Sequence, residues 1–314
     1  YTQTDTGTWT ISQSTDVPTG QGFPNSLKLD CTSAGTSNAD EVSIRHKIEG
    51  QNVQYLKFGT SSASSLTVSF WIKTNKTGTY SLAMVNTNST QERIASFNYT
   101  VSSADTWEKK EITFPGDTAR SFDNTNGEEL TLYWWFSAAS GFTSGGVQNT
   151  WTNYSASYFA DSGLAGLGGS TSDEVYITGV QCEAGTSASD FEFLPTDVNL
   201  RRCQRYFFPV APTGSFGFRC MGQYYNTNNL KLSSYLPTSM RAAPSLVQNV
   251  SSDGFRFYRN GGYDSLDQNF VMDGGNTTQF VHWYNAVDAS GTAGQAGGLY
   301  QNTTTNYIYF DSEL

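Results

Sequence analysis

The chain has two histidines, His46 and His282, and each is a candidate for chemistry. Nucleophilic catalysis by a Ser-His-Asp or Cys-His arrangement needs a histidine held between a nucleophile and a carboxylate. Each histidine instead lies in a run of alternating apolar and polar residues, which predicts a strand. Neither has the spacing of a metal-ligand motif around it. The sequence therefore favours two hydrogen-bonded strand histidines over a hydrolase or a zinc site.

Neighbouring acids are the next candidates, because glycosidases use two carboxylates a few ångströms apart. Glu128 and Glu129 are adjacent in the sequence, as are Asp173 and Glu174. Adjacent side chains of a strand, however, point to opposite faces. We interpret all four as solvated turn acids, and the sequence predicts that the protein is not an enzyme.

Three aspartates, Asp264, Asp267 and Asp273, lie close together beside glycines. Carboxylate oxygens are preferred calcium ligands, but this spacing does not match the calcium loop of a helix-loop-helix site. The sequence predicts no cofactor, and a structural calcium ion remains the alternative.

Clusters of aromatic and amide side chains offer binding chemistry. Sugars pack their apolar C–H faces on aromatic rings, and their hydroxyls hydrogen-bond with amides. Three clusters are predicted to bind glycan: Trp151, Asn153, Tyr154 and Tyr158; Tyr224, Tyr225, Asn226 and Asn228; and Tyr258, Asn260 and Tyr263. The alternative for each cluster is packing in a core or at a subunit interface, which we predict for Trp71, Trp134 and Trp135.

The elements that must position these side chains are predicted to be strands. Of the 314 residues, 14% are aromatic, 15% are charged and 30 are glycine, a balance that favours strands and turns over helices. Apolar and polar residues alternate over 42–48 and 66–73, and turn residues separate the short runs. The sequence therefore predicts an all-β protein, with a domain junction near Asp197.

The charge balance limits the classes of partner that the protein can bind. Lys and Arg total 18 and Asp and Glu total 28, so the formal net charge is -10 at pH 7. This charge repels phosphate backbones and anionic lipids, and no apolar run approaches the roughly 20 residues of a membrane helix. We expect no nucleic-acid partner and no membrane insertion. Tyr1 is either a processing site or the edge of a fragment that lacks an N-terminal anchoring segment.

The cysteines have no C-x-x-C spacing. We predict that they are buried thiols, with a single disulfide as the alternative. The four residues are Cys31, Cys182, Cys203 and Cys220.

A series of sequence blocks resembles tailed-bacteriophage virion proteins that carry a carbohydrate-binding-like jelly roll. The blocks are SIRHKIEG (43–50), LKFG (56–59), LTVSFWIK (66–73), TGTY (77–80), TWEKK (106–110), DNTNG (123–127), YITGVQCEAG (176–185), FEFLP (191–195) and CQRYF (203–207). Later blocks, MRAAP (240–244), GQAGG (294–298) and YFDSEL (309–314), are similar to the C-terminal tip domain that often follows. One departure is Cys182, where the family pattern usually has an aliphatic residue.

The resemblance implies a carbohydrate-binding-module-like jelly-roll β-sandwich over residues 1–197 and a second, smaller β-sandwich tip domain over 198–314. It also implies a virion protein, a tail fibre or receptor-binding appendage, that adheres to host surface glycans without enzymatic activity. Its expected partners are two further copies of itself in a homotrimer and other virion proteins. Its expected location is the tail or capsid surface, after assembly in the bacterial host cytoplasm.

Two alternatives to the tail-fibre interpretation stay open. One is a head fibre or capsid-decorating structural protein, which requires the same β-domains. The other is a polysaccharide depolymerase, which would need a groove with paired carboxylates and usually a long repetitive β-helix. The sequence has neither feature, so the depolymerase is disfavoured.

Overall fold

The computed structural model describes residues 2–3, 7–35, 41–87 and 91–314. The chain divides into two compact units, Tyr1–Glu192 together with Leu314 (unit 1), and Phe193–Glu313 (unit 2). Strands make up 46% of the residues and helices 7%, and both units are sandwiches of antiparallel sheets. The predicted all-β fold class is confirmed.

Unit 1 consists of two sheets. In spatial order, the six-stranded sheet contains β1 (Thr2–Gln3), β4 (Val42–Glu49), β9 (Glu128–Ser137), β6 (Gly78–Asn86), β7 (Arg93–Val101) and β10 (Thr152–Asn153). The five-stranded sheet contains β2 (Gly7–Ser14), β3 (Ser26–Ala34), β11 (Glu174–Ala184), β5 (Leu66–Thr74) and β8 (Glu108–Phe114). The remaining elements are α1 (Ser140–Thr143) and 3₁₀ turns at Gly50–Asn52, Gln54–Leu56 and Ala156–Tyr158.

The core of unit 1 lies between the inner faces of these sheets. Phe70 of β5 and Trp134 of β9 are buried there, with ring centroids 5.8 Å apart in an edge-on arrangement. Trp135 is equally buried but packs on the other side of β9, where Phe142 and Phe159 lie 4.9 and 5.2 Å away. The core positions predicted for both tryptophans are confirmed. The outer face of the six-stranded sheet is therefore covered by the chain's own segment around α1.

Unit 2 begins with a nine-residue helix, α2 (Thr196–Gln204), in the segment where the β alternation breaks. A three-stranded sheet follows in the order β12 (Phe207–Ala211), β21 (Tyr307–Asp311) and β15 (Ser245–Asn249). It packs on a seven-stranded sheet in the order β17 (Gly262–Leu266), β16 (Phe255–Arg259), β20 (Ala296–Gln301), β13 (Gly217–Asn226), β14 (Asn229–Tyr235), β19 (Phe280–Asn285) and β18 (Val271–Met272).

The inner face of the seven-stranded sheet carries the core of unit 2, and its other face is open. Leu232, Phe257 and Trp283 are 0% exposed on the inner face. On the central strand β13, Phe218 and Met221 are 64% and 67% exposed. They are three residues apart, a spacing that alternation would put on opposite faces. A register shift between Phe218 and Cys220 inserts one extra residue, and this bulge brings both side chains to the outer face.

The four cysteines are free thiols in this structure. Cys31 is buried and Cys182 and Cys220 are half-buried, and burial raises the pKa of the latter two to about 12. Cys203 is exposed because it lies on α2, a helix that buries none of its residues, so the buried-thiol prediction is wrong there. Within the described ranges, no helix is long and apolar enough to cross a membrane.

Candidate functional site

The neighbouring acids of unit 1 do not form a catalytic pair. Glu128 forms an ion pair with Lys47 (Oε2 to Nζ, 2.8 Å), whereas Glu129 is buried. Asp173 is likewise buried, whereas Glu174 forms an ion pair with Lys28 at the surface. The predicted divergence of each pair is confirmed. The prediction that all four acids are solvated is wrong for Glu129 and Asp173. Asp173 lies in the loop before β11, where its Oδ2 accepts the backbone N–H of Gly168 at 2.7 Å.

The three aspartates considered for calcium lie apart. Asp264 on β17 accepts a hydrogen bond from Arg259 (Nη2 to Oδ1, 2.6 Å), and Asp273 accepts one from Lys231 (Nζ to Oδ2, 2.5 Å) beyond β18, at the opposite edge of the sheet. Asp267, which lies between them in the sequence, accepts the backbone N–H of Asp253 through Oδ1. Among the described residues, no group of three or more His, Cys, Asp or Glu side chains is arranged to hold a metal ion. These aspartates therefore do not converge on a calcium site.

The first predicted glycan cluster is largely occupied by packing. Trp151 is 7% exposed, packs edge-on against Phe58 at 5.6 Å, and donates its indole N–H to a backbone carbonyl at 2.6 Å. Tyr158 is half-buried in the segment that covers the six-stranded sheet. Asn153 and Tyr154 are exposed. Trp151 is thus a core residue, and the four side chains do not form one aromatic surface.

The second cluster is divided by strand alternation. Tyr224 is 1% exposed in the core of unit 2, and its hydroxyl donates to the Asp264 carboxylate. Tyr225 is 70% exposed on the outer face. Asn226 and Asn228 lie at the turn between β13 and β14, where the Asn228 N–H donates to Asn226 Oδ1 at 3.0 Å. Tyr225 is therefore available to a ligand, and Tyr224 is not.

The third cluster lies on the hairpin of β16 and β17. Tyr258 and Tyr263 are directly paired across the two strands, with ring centroids 5.3 Å apart. Asn260 occupies the turn with a positive φ of 41°. Both tyrosine rings lie on the outer face of the seven-stranded sheet, the face that also carries Tyr225. The structure thus brings members of two predicted clusters to one surface.

A groove of about 710 Å³ lies on that outer face, over β13, β14 and β19. This volume is within the range of small-molecule sites, roughly 300–1,000 Å³. The lining combines one highly exposed aromatic ring, a thioether, two amides, a hydroxyl and three ionisable groups. It comprises Met221, Gly222, Gln223, Tyr225, Asn229, Lys231, Ser233, Asp273 and His282. We call this feature the groove.

The polar groups of the groove are arranged in two pairs. Lys231 and Asp273 form an ion pair, and the Lys231 ammonium holds the pKa of Asp273 below its usual range. Lys231 Nζ also lies 4.4 Å from the ring centroid of Tyr284. Ser233 Oγ and His282 Nδ1 are 3.1 Å apart. The groove therefore presents hydrogen-bond donors and acceptors without a large net charge.

Sequence reasoning missed the polar half of the groove. His282 is a hydrogen-bonded strand residue, as predicted, but its position beside Ser233 depends on the register between β14 and β19. Lys231 and Asp273 are likewise far apart in the sequence. The alternation of β14, with Leu230 and Leu232 buried, indicates which of its residues face outward. It does not indicate which strand lies beside it.

Neither a known protein-family model nor a curated protein matches the chain. Among solved structures, the enzymatically active domain of tailspike protein 4 from bacteriophage CBA120 is 13% identical with a TM-score of 0.35, over 58% of this chain and 19% of that chain. The family 11 carbohydrate-binding module of a Clostridium thermocellum cellulosomal cellulase is 10% identical (TM-score 0.31; 59% of this chain, 86% of that chain).

The CBM22-2 xylan-binding domain of Xyn10C from Paenibacillus barcinonensis is 14% identical, with a TM-score of 0.31, over 58% of this chain and 91% of that chain. This chain spans about a fifth of the length of the tailspike chain. Likenesses at these identities and scores do not assign a function to this chain.

Glu129 is a buried carboxyl that is only partly satisfied. One oxygen accepts the backbone N–H of Asp123, and Oε2 has no hydrogen-bond partner within the part of the chain that the structure describes. Gly50 packs so closely that a Cβ there would lie 2.5 Å from Glu129 Cγ. Burial raises the pKa of Glu129, because the charged form loses its hydration.

We expect Glu129→Gln to stabilise unit 1 at neutral pH. An acid whose folded pKa is raised stabilises the fold below its unfolded pKa, and this contribution is lost as the pH rises through the folded pKa. Glutamine stays uncharged at every pH. The melting temperature of the variant should therefore exceed the wild-type value by about 2–4 °C at about pH 7.5, and the difference should shrink towards pH ~4. Glu192→Gln, at an exposed acid, is the control. Equal melting temperatures of Glu129→Gln and wild type at both pH values would contradict this interpretation.

Proposed function

We propose that this chain is a non-enzymatic glycan-binding protein and that the groove on unit 2 is its binding site. The observation that carries the proposal is the 70% exposed ring of Tyr225 beside the Lys231–Asp273 ion pair. An exposed ring supplies a platform for the apolar face of a sugar, and a carboxylate next to an ammonium can accept from and donate to its hydroxyls. Gln223 and Asn229 add amide groups along the same surface.

The distribution of charge supports an uncharged, hydroxyl-rich ligand. Residues 193–313 contain eight Lys or Arg and eight Asp or Glu, so the whole formal charge of -10 lies on residues 1–192. The formal charge of unit 2 is therefore zero, which suits an uncharged ligand. A phosphate backbone or a strongly anionic polymer would gain no attraction from the net charge of unit 2 and would be repelled by the net charge of unit 1.

The groove supports binding without cleavage. Ser233 and His282 are in contact, but the carboxylate that faces them, Asp273, is hydrogen-bonded to Lys231. A serine nucleophile needs a histidine whose second nitrogen is oriented by an acid. We therefore infer that these groups serve as hydrogen-bonding positions for sugar hydroxyls.

We propose further that the protein is a virion component, a tail fibre or receptor-binding appendage that acts as a homotrimer attached to other virion proteins. The support is the ordered series of sequence blocks, and the physical rationale is multivalency. Three weak sites on one trimer together give tight adhesion, because binding at the first site raises the effective concentration of ligand at the other two. A head fibre or capsid decoration is the second candidate, and the position of the protein on the particle separates the two.

We expect Tyr225→Ala to weaken glycan binding about tenfold, because it removes the stacking platform of the groove. The probe is a panel of purified bacterial capsular and lipopolysaccharide O-chain polysaccharides, immobilised and titrated with the chain. Tyr235→Ala is the matched control, since Tyr235 is 80% exposed on the same sheet and lies outside the groove lining.

Circular dichroism should show that both variants remain folded. Binding by Tyr225→Ala that equals the wild-type value would remove the groove from the proposal. Release of new reducing ends from a bound polysaccharide would refute the non-enzymatic part of it.

We expect sedimentation to give three times the chain mass of 34.4 kDa. A monomeric mass would refute the trimer.

We expect immunogold labelling of virions to place the chain at the tail. Label spread over the head would refute the tail-fibre proposal and favour capsid decoration.

A further inference from the structure

A row of directly paired residues crosses the outer face of the seven-stranded sheet. It passes from β17 through β16, β20, β13 and β14 to β19, and its members are Tyr263, Tyr258, Gly298, Met221, Ser233 and His282. Neighbouring strands lie about 4.8 Å apart, so this row is about 24 Å long. The groove occupies only the part from β13 to β19. The part of the row on β17, β16 and β20 lies outside the groove.

Four aromatic rings cover that other part, and we call them the aromatic pad: Phe218, Tyr258, Tyr263 and Tyr300. Phe218 lies 5.4 Å from Tyr300 and 5.9 Å from Tyr258, and Tyr258 lies 5.3 Å from Tyr263, all between ring centroids. Phe218 and Tyr263 remain 64% and 49% exposed in spite of these contacts. Stacking within the pad fixes the rings and still leaves apolar faces open to solvent.

The charge at the aromatic pad is balanced. The Arg256 guanidinium lies 4.4 Å from the ring centroid of Tyr263 and forms an ion pair with Asp253. Arg256 Nε donates to Asp253 Oδ1 at 2.9 Å. The pad therefore resembles the groove in its chemistry: aromatic faces next to a neutralised pair of charges.

Gly298 joins the aromatic pad to the groove. A Cβ at this position would lie 2.8 Å from the Phe218 ring and 3.5 Å from Met221 Sδ. The absence of a side chain lets Phe218 lie over β20 beside Met221, which itself lines the groove. The bulge on β13 places Phe218 on the same face as Met221, so the aromatic pad extends to the edge of the groove.

We propose that the groove and the aromatic pad form one continuous track that binds an extended oligosaccharide of several sugar units rather than a single terminal sugar. This inference rests on the proposed glycan-binding function of the groove. A track of about 24 Å is much longer than one sugar ring. Exposed rings lie in both of its parts, Phe218 and Tyr263 in the aromatic pad and Tyr225 in the groove. Contacts at successive positions add to the binding free energy only when the ligand is long enough to reach them.

The test uses oligosaccharides prepared from the polysaccharide that the panel identifies, by partial acid hydrolysis and size fractionation. Calorimetry would measure the Kd of the wild-type chain for fractions from two sugar units upward. We expect affinity to rise at least about tenfold with ligand length and then reach a plateau. Phe218→Ala and Tyr263→Ala should lower the plateau affinity and leave the shortest binding fraction unchanged, because that fraction is held in the groove. Tyr235→Ala should change neither.

The outcomes separate the two proposals. Failure of every polysaccharide in the panel to bind would refute the proposed function itself. Equal affinity for short and long fractions, unchanged in Phe218→Ala and Tyr263→Ala, would keep the function and overturn the track. A change in the sedimenting mass of Phe218→Ala or Tyr263→Ala, together with weaker binding, would also overturn it, since the aromatic pad would then be a contact between copies of the chain.

Discussion

Side-chain alternation on the central strand of unit 2 is the constraint on which the candidate site depends. Tyr224 and Tyr225 are neighbours, yet one ring is 1% exposed and the other 70% exposed. The inward ring packs edge-on against Phe257 at 5.6 Å, which anchors β13 in the core. One bulge changes the parity of the strand, so that Phe218 joins Met221 and Tyr225 on the outer face. Without that bulge, Phe218 would face the core, and the aromatic pad would lose the ring that lies beside Met221.

The side chains of unit 1 also alternate between the two faces of a strand, but there both faces are buried. Its strand β9 buries Trp134 on one face and Trp135 on the other, because the segment around α1 covers the outer side of the sheet. Both tryptophans are therefore unavailable to a ligand. The chain thus has one unit with a covered sheet and all of the formal net charge, and one neutral unit with an open aromatic sheet.

Local sequence patterns predicted the strands and the packing of Trp134 and Trp135, because alternation and composition are local properties. They placed Tyr224 and Tyr225 in one glycan-binding cluster and did not separate the buried ring from the exposed one. They did not predict the burial of Trp151, whose place in the core depends on contacts with distant strands. The groove could not be predicted from local patterns either. Lys231, Asp273 and His282 meet only through the pairing of β14 with β19 and of β19 with β18, and no local pattern indicates those partners.

Methyl NMR of the chain labelled with [13C]methyl-methionine would locate the bound glycan on the molecule. The chain has four methionines. Met221 is 67% exposed in the groove, whereas Met84 in unit 1 and Met240 in unit 2 are 0% and 1% exposed. Titration with the polysaccharide fragments that bind should shift the Met221 signal and leave Met84 and Met240 in place. Saturable binding that leaves Met221 unperturbed, or that shifts Met84 instead, would contradict a glycan site on the open sheet of unit 2.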